Sequence, residues 1–265
     1  MPPEQLDTRW FDPARTTLLV GILLFLALLV INILRARSGG SFFIRPLAGL
    51  QALDEAIGRA TEMGRKILYM PGLGDMSEVG TLASITIMGR VSRKVAELGC
   101  DMEVPCYDPM VMAIMDGVAR QAYREVGREH DYKVGSIHYV SAQQFAYVAA
   151  VTGIMVRDRP AANVYMGSFY AESLFLAETG NLTGAIQIAG CDKPTQLPFF
   201  VCACDYTLLG EELFAASAYL GKEPIQLATI IAQDWAKALA AAAVVVALAM
   251  AALGNPALMK WLGVA

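Results

Sequence analysis

The chain has 265 residues, 55% of them apolar and 17% charged, with a formal net charge of −4. That acidic balance excludes the basic footprint that binding a phosphate backbone requires, so no nucleic-acid partner is expected. The apolar share is above that of a typical soluble domain, and two uncharged stretches account for the excess.

The first stretch, Thr16 to Leu34, is long enough for a helix to cross a hydrocarbon core of about 30 Å. Arg35 and Arg37 close it and no small-residue cleavage site follows, so it reads as an anchor rather than a cleaved signal. The second, Ala238 to Met259, is rich in alanine and lies between Trp235 with Lys237 and Lys260 with Trp261, the flanks of a span anchored at both interfaces. Arg35, Arg37, Arg45 and Lys237 outweigh Arg9, Arg15 and Lys260, which predicts a two-pass protein of the inner (cytoplasmic) membrane. Residues 1–15 and 260–265 are then external, 16–34 and 237–259 cross the lipid bilayer, and 35–236 form a cytoplasmic domain.

That domain begins with a Gly-rich tether, Ser38 to Ser41. Pro46 to Met63 then has the period of an amphipathic helix, and Lys66 to Met70 reads as a strand closed by the turn Pro71 to Asp75. Ser77 is placed to cap a helix with the stripe Val79, Leu82, Ile85, Met88, Val91, Val95 and Leu98, stopped by Gly99. Met102 to Cys106 is a second strand, and Asp108-Pro109 opens a helix ending near Gly127. Ser136 to Val140 is a third strand, and Ser141 is expected to cap a short helix to Gly153. Ile154 to Val156 and Asn163 to Met166 are strand candidates, able to pair around Asp158 to Pro160. Gly167-Ser168 is expected to open a helix that Gly180 ends, and Ala185 to Ala189 is a buried strand. Leu197 to Cys204 is an apolar run in which Pro198 argues against a central strand. A helix over Leu208 to Leu220 and a last one from Ile225 into the second span complete the chain. Strands alternating with helices predict an α/β fold, a mainly parallel doubly wound (Rossmann-like) sheet flanked by an N-terminal and a C-terminal transmembrane helix.

Ligands of such sheets bind at the strand carboxyl ends, which here carry Gly72, Gly74, Asp75, Ser77, Asp108, Ser168 and Asp192. Gly72-x-Gly74-x-x-Ser77 between a strand and a helix resembles a phosphate-binding turn. Serine replaces its third glycine, however, and Asp75 would repel a pyrophosphate. Asp108, before a proline, fits a helix cap as well as a ribose contact. Ser168 lacks the G-x-S-x-G surroundings of a nucleophile and has no histidine base in evident reach, so no catalytic residue is assigned. Glu172 and Glu178, six apart, fall on different helix faces.

The five cysteines have no disulfide or zinc spacing. Cys202 and Cys204 alternate as core residues of a strand would, and Cys191, in the polar loop before Gln196, is the best candidate for an exposed thiol. No metal and no cofactor are expected.

Several segments resemble one uncharacterised family of prokaryotic membrane-anchored proteins with a single domain of unknown function. They are Phe43 to Leu47, Tyr69 to Asp75, Gln144 to Tyr147, Tyr170 to Ser173, Gly184 to Gly190, Gln196 to Phe200 and Cys204 to Glu212. The resemblance covers roughly Phe43 to Ser217 and implies no activity, cofactor or catalytic residue.

These features point to a membrane-anchored domain acting by assembly, as a homo-oligomeric scaffold or as the anchor or binding subunit of a larger membrane complex. Ala243, Ala247 and Ala251 on one face of the second span are of the size that lets transmembrane helices approach closely. The alternative is a nucleotide- or phosphate-binding enzyme or sensor using the crevice at the strand ends.

Overall fold

The computed structural model describes residues 16–37, 48–221 and 224–252. The predicted external segments, the tether and the helix start at Pro46 lie outside them. The chain divides into two compact units, residues 1–43 with 223–265 and residues 44–222.

In the first unit, α1 (Thr16–Arg37) and α9 (Pro224–Ala252) pack against each other. Leu18–Arg37 and Leu227–Met250 are each apolar and long enough to cross a bilayer. Ala228, Ala232 and Ala247 of α9 are buried, as are Asn32 and Ala36 of α1. Of the alanines that the sequence suggested for contact between copies, Ala247 is buried and Ala243 half-buried within this chain.

The second unit is a six-stranded sheet in the order β3-β2-β1-β4-β5-β6, every pair parallel. Its strands are β1 (Ile67–Gly72), β2 (Met102–Cys106), β3 (Ile137–Tyr139), β4 (Ala162–Ser168), β5 (Ile186–Cys191) and β6 (Tyr206–Leu209). The helices between them are α2 (Ala48–Met63), α3 (Val79–Leu98), α4 (Pro109–Glu125), α5 (Gln144–Asp158), α6 (Glu172–Thr183), α7 (Leu197–Ala203) and α8 (Glu211–Gly221). One core layer joins α2, α3, α4 and α8 to the sheet through Leu53, Ile57, Met88, Val91, Met115 and Leu213. The other joins α5, α6 and α7 through Tyr147, Val151, Tyr165, Phe169, Leu176 and Phe200. The sheet is buried on both faces, which is why its central strands are apolar runs.

Four local expectations are corrected. Ile154 to Val156 is the end of α5, because Ile154 and Met155 continue the buried face of Tyr147 and Val151 at helical spacing. Ser168 ends β4 rather than capping a helix, and α6 runs past Gly180 to a left-handed stop at Gly184. Leu197 to Ala203 is a helix with proline in its first turn, which leaves Cys202 exposed. The sixth strand is Tyr206–Leu209, which takes Leu208 and Leu209 from the start of the expected helix, and α8 begins at Glu211.

Candidate functional site

The strand order reverses between β1 and β4, and the loops that diverge from a sheet at such a point leave a crevice outside the carboxyl ends of the strands. Three loops meet there: 73–78 after β1, 169–171 after β4, and 192–196 after β5.

Pairing steps from Met70↔Tyr165 to Gly72↔Ser168, so β4 holds one residue more than β1 in this interval. The bulge places Gly167 at φ 138°, with its α-carbon so close to β1 that a Cβ would fall 2.1 Å from Pro71 O. Bulges of this kind re-aim the residue that follows. Here that residue is Ser168, which is fully buried. Its carbonyl accepts from Leu73 N at 2.9 Å. Its hydroxyl donates to Asp192 Oδ2 at 3.0 Å.

The glycines of the first turn serve this close approach. Gly72 has φ 82°, and a Cβ on it would lie 2.3 Å from Ser168 O. One on Gly74 would lie 2.4 Å from Thr81 Oγ1 and 3.0 Å from Ser168 Cβ. Gly80, in the first turn of α3, faces Ser168 Oγ at 2.7 Å and Asp192 Cγ at 2.8 Å on the same construction. The carboxylate of Asp192 thus lies against the amino-terminal turn of α3, where a helix favours negative charge.

Lys193 crosses the mouth of the crevice. Its ammonium is 2.8 Å from Glu78 Oε2 and 3.7 Å from Asp192 Oδ2, and it stands 5.6 Å from the centre of the Tyr170 ring. The Tyr170 hydroxyl donates to Glu78 Oε1 at 3.4 Å. Hydrogen bonding to Glu78 raises the pKa of Lys193, while burial and then Glu78 raise that of Tyr170. Two buried oxygens, Thr81 Oγ1 and Asp192 Oδ1, have no hydrogen-bond partner among the described residues.

Of the residues singled out in the sequence, Gly72, Gly74, Ser168 and Asp192 come together. Asp75 and Ser77 stand on the outer part of the same turn, where Asp75 Oδ1 accepts from Ser77 N at 2.8 Å and from its hydroxyl at 2.5 Å. These bonds hold the Asp75 carboxyl below its usual pKa. Ser77 does not cap α3, whose N-cap is Glu78. Asp108 caps α4, its Oδ1 accepting from Met110 N at 2.8 Å and Val111 N at 2.9 Å. Glu78, Gly80, Thr81, Tyr170 and Lys193 were not singled out. Only the run of polar residues from Asp192 to Gln196 hinted at Lys193, since the others read as helix and loop filler.

Cys191 is fully buried, and burial raises its thiol pKa. It is therefore not the exposed thiol the sequence suggested. Glu172 is also buried, its carboxylate accepting from Tyr170 N at 2.7 Å and Gln144 Nε2 at 2.5 Å. It positions the β4–α6 loop and is already satisfied. Among the described residues no three or more His, Cys, Asp or Glu side chains gather as a metal centre. A separate hollow of about 380 Å³ lies at the other end of the sheet, beside Cys100, Tyr123 and Arg128. Arg128 is spent there on the carbonyl of Ala96 at the end of α3 and on Asp131.

The two outer faces differ in charge. The helices α2, α3 and α4 carry Asp54, Glu55, Arg59, Glu62, Arg90, Arg93, Lys94, Glu97, Asp116, Arg120, Arg124 and Glu125. Along α5, α6 and α7 the only charged residues are Arg157 and Asp158 at one end, the buried Glu172, and Glu178. Their solvent side shows Phe145 at 71% exposure, Phe175 at 48% and Leu182 at 82%, with Val156, Leu174, Phe199 and Val201 also exposed.

A family model described as Domain of unknown function (DUF6754) matches residues 6–262, nearly the whole chain. The match agrees with the resemblance read from Phe43 to Ser217 and extends over both apolar helices. No curated protein and no solved structure matches.

Proposed function

We propose that this chain, which belongs to the family described as Domain of unknown function (DUF6754), is a two-pass membrane-anchored α/β domain that acts by assembly. Its α5–α6–α7 face docks onto the same face of a second copy. The carrying observation is the charge asymmetry of the domain: one outer layer is densely charged, while the other exposes Phe145, Phe175 and Leu182 almost without charge. Large exposed apolar patches mark interaction sites, and these side chains share one outer layer of the domain. A face with so few charges suits contact with its own copy, since a two-fold contact brings it against itself with Glu178 as the one exposed carboxylate of α6. Anchoring by α1 and α9 confines the copies to one plane and raises their encounter rate. The arginines after Leu34 favour a cytoplasmic position for the domain in an inner membrane.

The alternative, a phosphate or nucleotide at the strand ends, finds less support from charge. Glu78 and Asp192 face the ammonium of Lys193 there, and Asp75 adds a third carboxylate to the same turn.

Co-expression of two differently tagged copies, followed by purification on one tag from mild detergent, tests the reading. Both tags are expected in the eluate of the wild type. Phe145→Glu with Leu182→Glu should release the second tag while leaving the circular-dichroism spectrum unchanged. Retention of the second tag by the double variant would move assembly to another surface, and absence of the second tag from the wild-type eluate would contradict self-assembly.

A further inference from the structure

The strand-end crevice carries an inference independent of assembly. Its polar atoms are mostly oxygens. Glu78 and Asp192 supply two carboxylates, and Ser168 and Thr81 supply two hydroxyls. Within that set one cation is present, the Lys193 ammonium, 2.8 Å from Glu78 and 3.7 Å from Asp192.

Two atoms are left over. Asp192 Oδ1 is buried and accepts no hydrogen bond from the described residues. A carboxylate oxygen is an acceptor only, so leaving it buried without a donor or cation carries the full desolvation cost. Thr81 is fully buried, and its Oγ1 has no partner among the described residues. It points at the Gly74 turn, where the same missing Cβ would meet Thr81 Oγ1 at 2.4 Å, Ser168 Cβ at 3.0 Å and Glu78 Cβ at 3.2 Å. The unpaired hydroxyl of Thr81 and the carboxylate of Asp192 thus flank the buried Ser168 side chain, the first beside Gly74 and the second beside Gly80.

We propose that this crevice is a cation site for which the Lys193 ammonium is the resident stand-in. Its ligand is a cationic centre, either a hard metal ion or the ammonium of a small amine, that displaces Lys193 and engages Asp192, Glu78 and the hydroxyls of Ser168 and Thr81. Oxygen-only surroundings suit Mg²⁺ and Ca²⁺. Mg²⁺ in particular keeps several of its waters and takes one or two carboxylates from the protein. The amino-terminal end of α3 opposes a cation, and the Asp192 carboxylate lying against that turn offsets it. Lys193 is on a loop with its side chain 29% exposed, so it can swing into water when displaced. While it stays it competes, and apparent affinity falls by the fraction of time the site is free.

The test uses the full chain in mild detergent and follows the thermal midpoint while adding MgCl2, CaCl2, putrescine dihydrochloride or sodium pyrophosphate, with choline chloride at matched ionic strength as control. The wild type should be stabilised by the divalent ions or by putrescine and not by choline, and whichever probe acts identifies the source of the cationic centre. Lys193→Met should melt lower in choline, regain the loss with the same probe, and bind it about ten-fold more tightly because the competitor is gone. Asp192→Asn, which can keep the bond to Ser168, should abolish the response in both backgrounds. Should it fail to fold, Thr81→Val, close in shape and without the hydroxyl, should weaken binding. Equal affinity in Lys193→Met and wild type, an undiminished response in both Asp192→Asn and Thr81→Val, or stabilisation by pyrophosphate alone would overturn the proposal.

Discussion

The hydroxyl of Ser168 donates to Asp192 Oδ2 at 3.0 Å, and this pair lies against Gly80 in the first turn of α3. Three elements far apart in sequence thus depend on the absence of one side chain. A Cβ on Gly80 would fall 2.7 Å from Ser168 Oγ and 2.8 Å from Asp192 Cγ. Alanine gains about 1 kcal/mol of helix propensity, while overpacking costs about 1–3 kcal/mol. Gly80→Ala is therefore expected to destabilise the domain in denaturant melts, by about 1 kcal/mol net. A more stable variant would show that the pair yields freely.

Gly180 is the corresponding position beneath α6. A Cβ there would lie 2.0 Å from Gln187 Oε1 and 2.6 Å from the Tyr165 hydroxyl. Neither can retreat without loss, since the Gln187 amide donates to Ala177 O at 3.0 Å and Ala203 O at 2.7 Å. The Tyr165 hydroxyl stands 3.0 Å from Leu176 O. Gly180→Ala should cost about 2 kcal/mol after the helix gain, measured as a lower denaturation midpoint with unchanged slope. A neutral result would mean that this polar cluster is loosely held.

Asp158, at the end of α5, is bonded to Arg157 at 2.7 Å and to Lys66 at 2.6 Å. These two cations hold its carboxyl well below the usual carboxylate range. A depressed folded-state pKa contributes stability above the unfolded value, near pH 4, and loses it as pH falls below that value. Asp158→Asn should lower stability at neutral pH by about 1 kcal/mol, a figure discounted for partial exposure, and flatten the acid limb of the stability profile. An acid limb identical to that of the wild type would assign the pH dependence to other carboxylates.

The thiols give a direct readout of the corrected helix α7. Cys202 is exposed, whereas Cys100, Cys106 and Cys191 are buried, and burial pushes the Cys106 thiol up to about 12. Maleimide at neutral pH should modify Cys202 first in the folded protein and reach the three buried thiols only after denaturant is added. Rapid native labelling of Cys191 would contradict the closed strand-end loops.

The sequence carried the layered parallel fold because capping signals and apolar runs are local: Asp108-Pro109, Gly99 and the run Ile67 to Met70 each act within a few residues. Where it misled, a local signal had a nonlocal owner. Gly180 looked like a helix stop, yet it is small because Gln187 and Tyr165 occupy the space beside it. Leu197 to Ala203 is ambiguous in sequence because seven residues are too few for a period to separate a buried strand from a short helix. At the site, the groups that approach Gly72 and Gly74 are Ser168 and Thr81 of the chain itself. Lys193, Glu78 and Tyr170 could not be joined from sequence, because their loops converge only once the strand order is known.

The central claim is that the α5–α6–α7 face carries self-assembly, and native mass measurement of the full chain in mild detergent tests it most directly. The wild type should appear as a dimer or a higher even assembly, and Phe145→Glu with Leu182→Glu should appear as the folded monomer at the same concentration. A monomeric wild type, or a double variant with the mass of the wild-type assembly, would contradict the account.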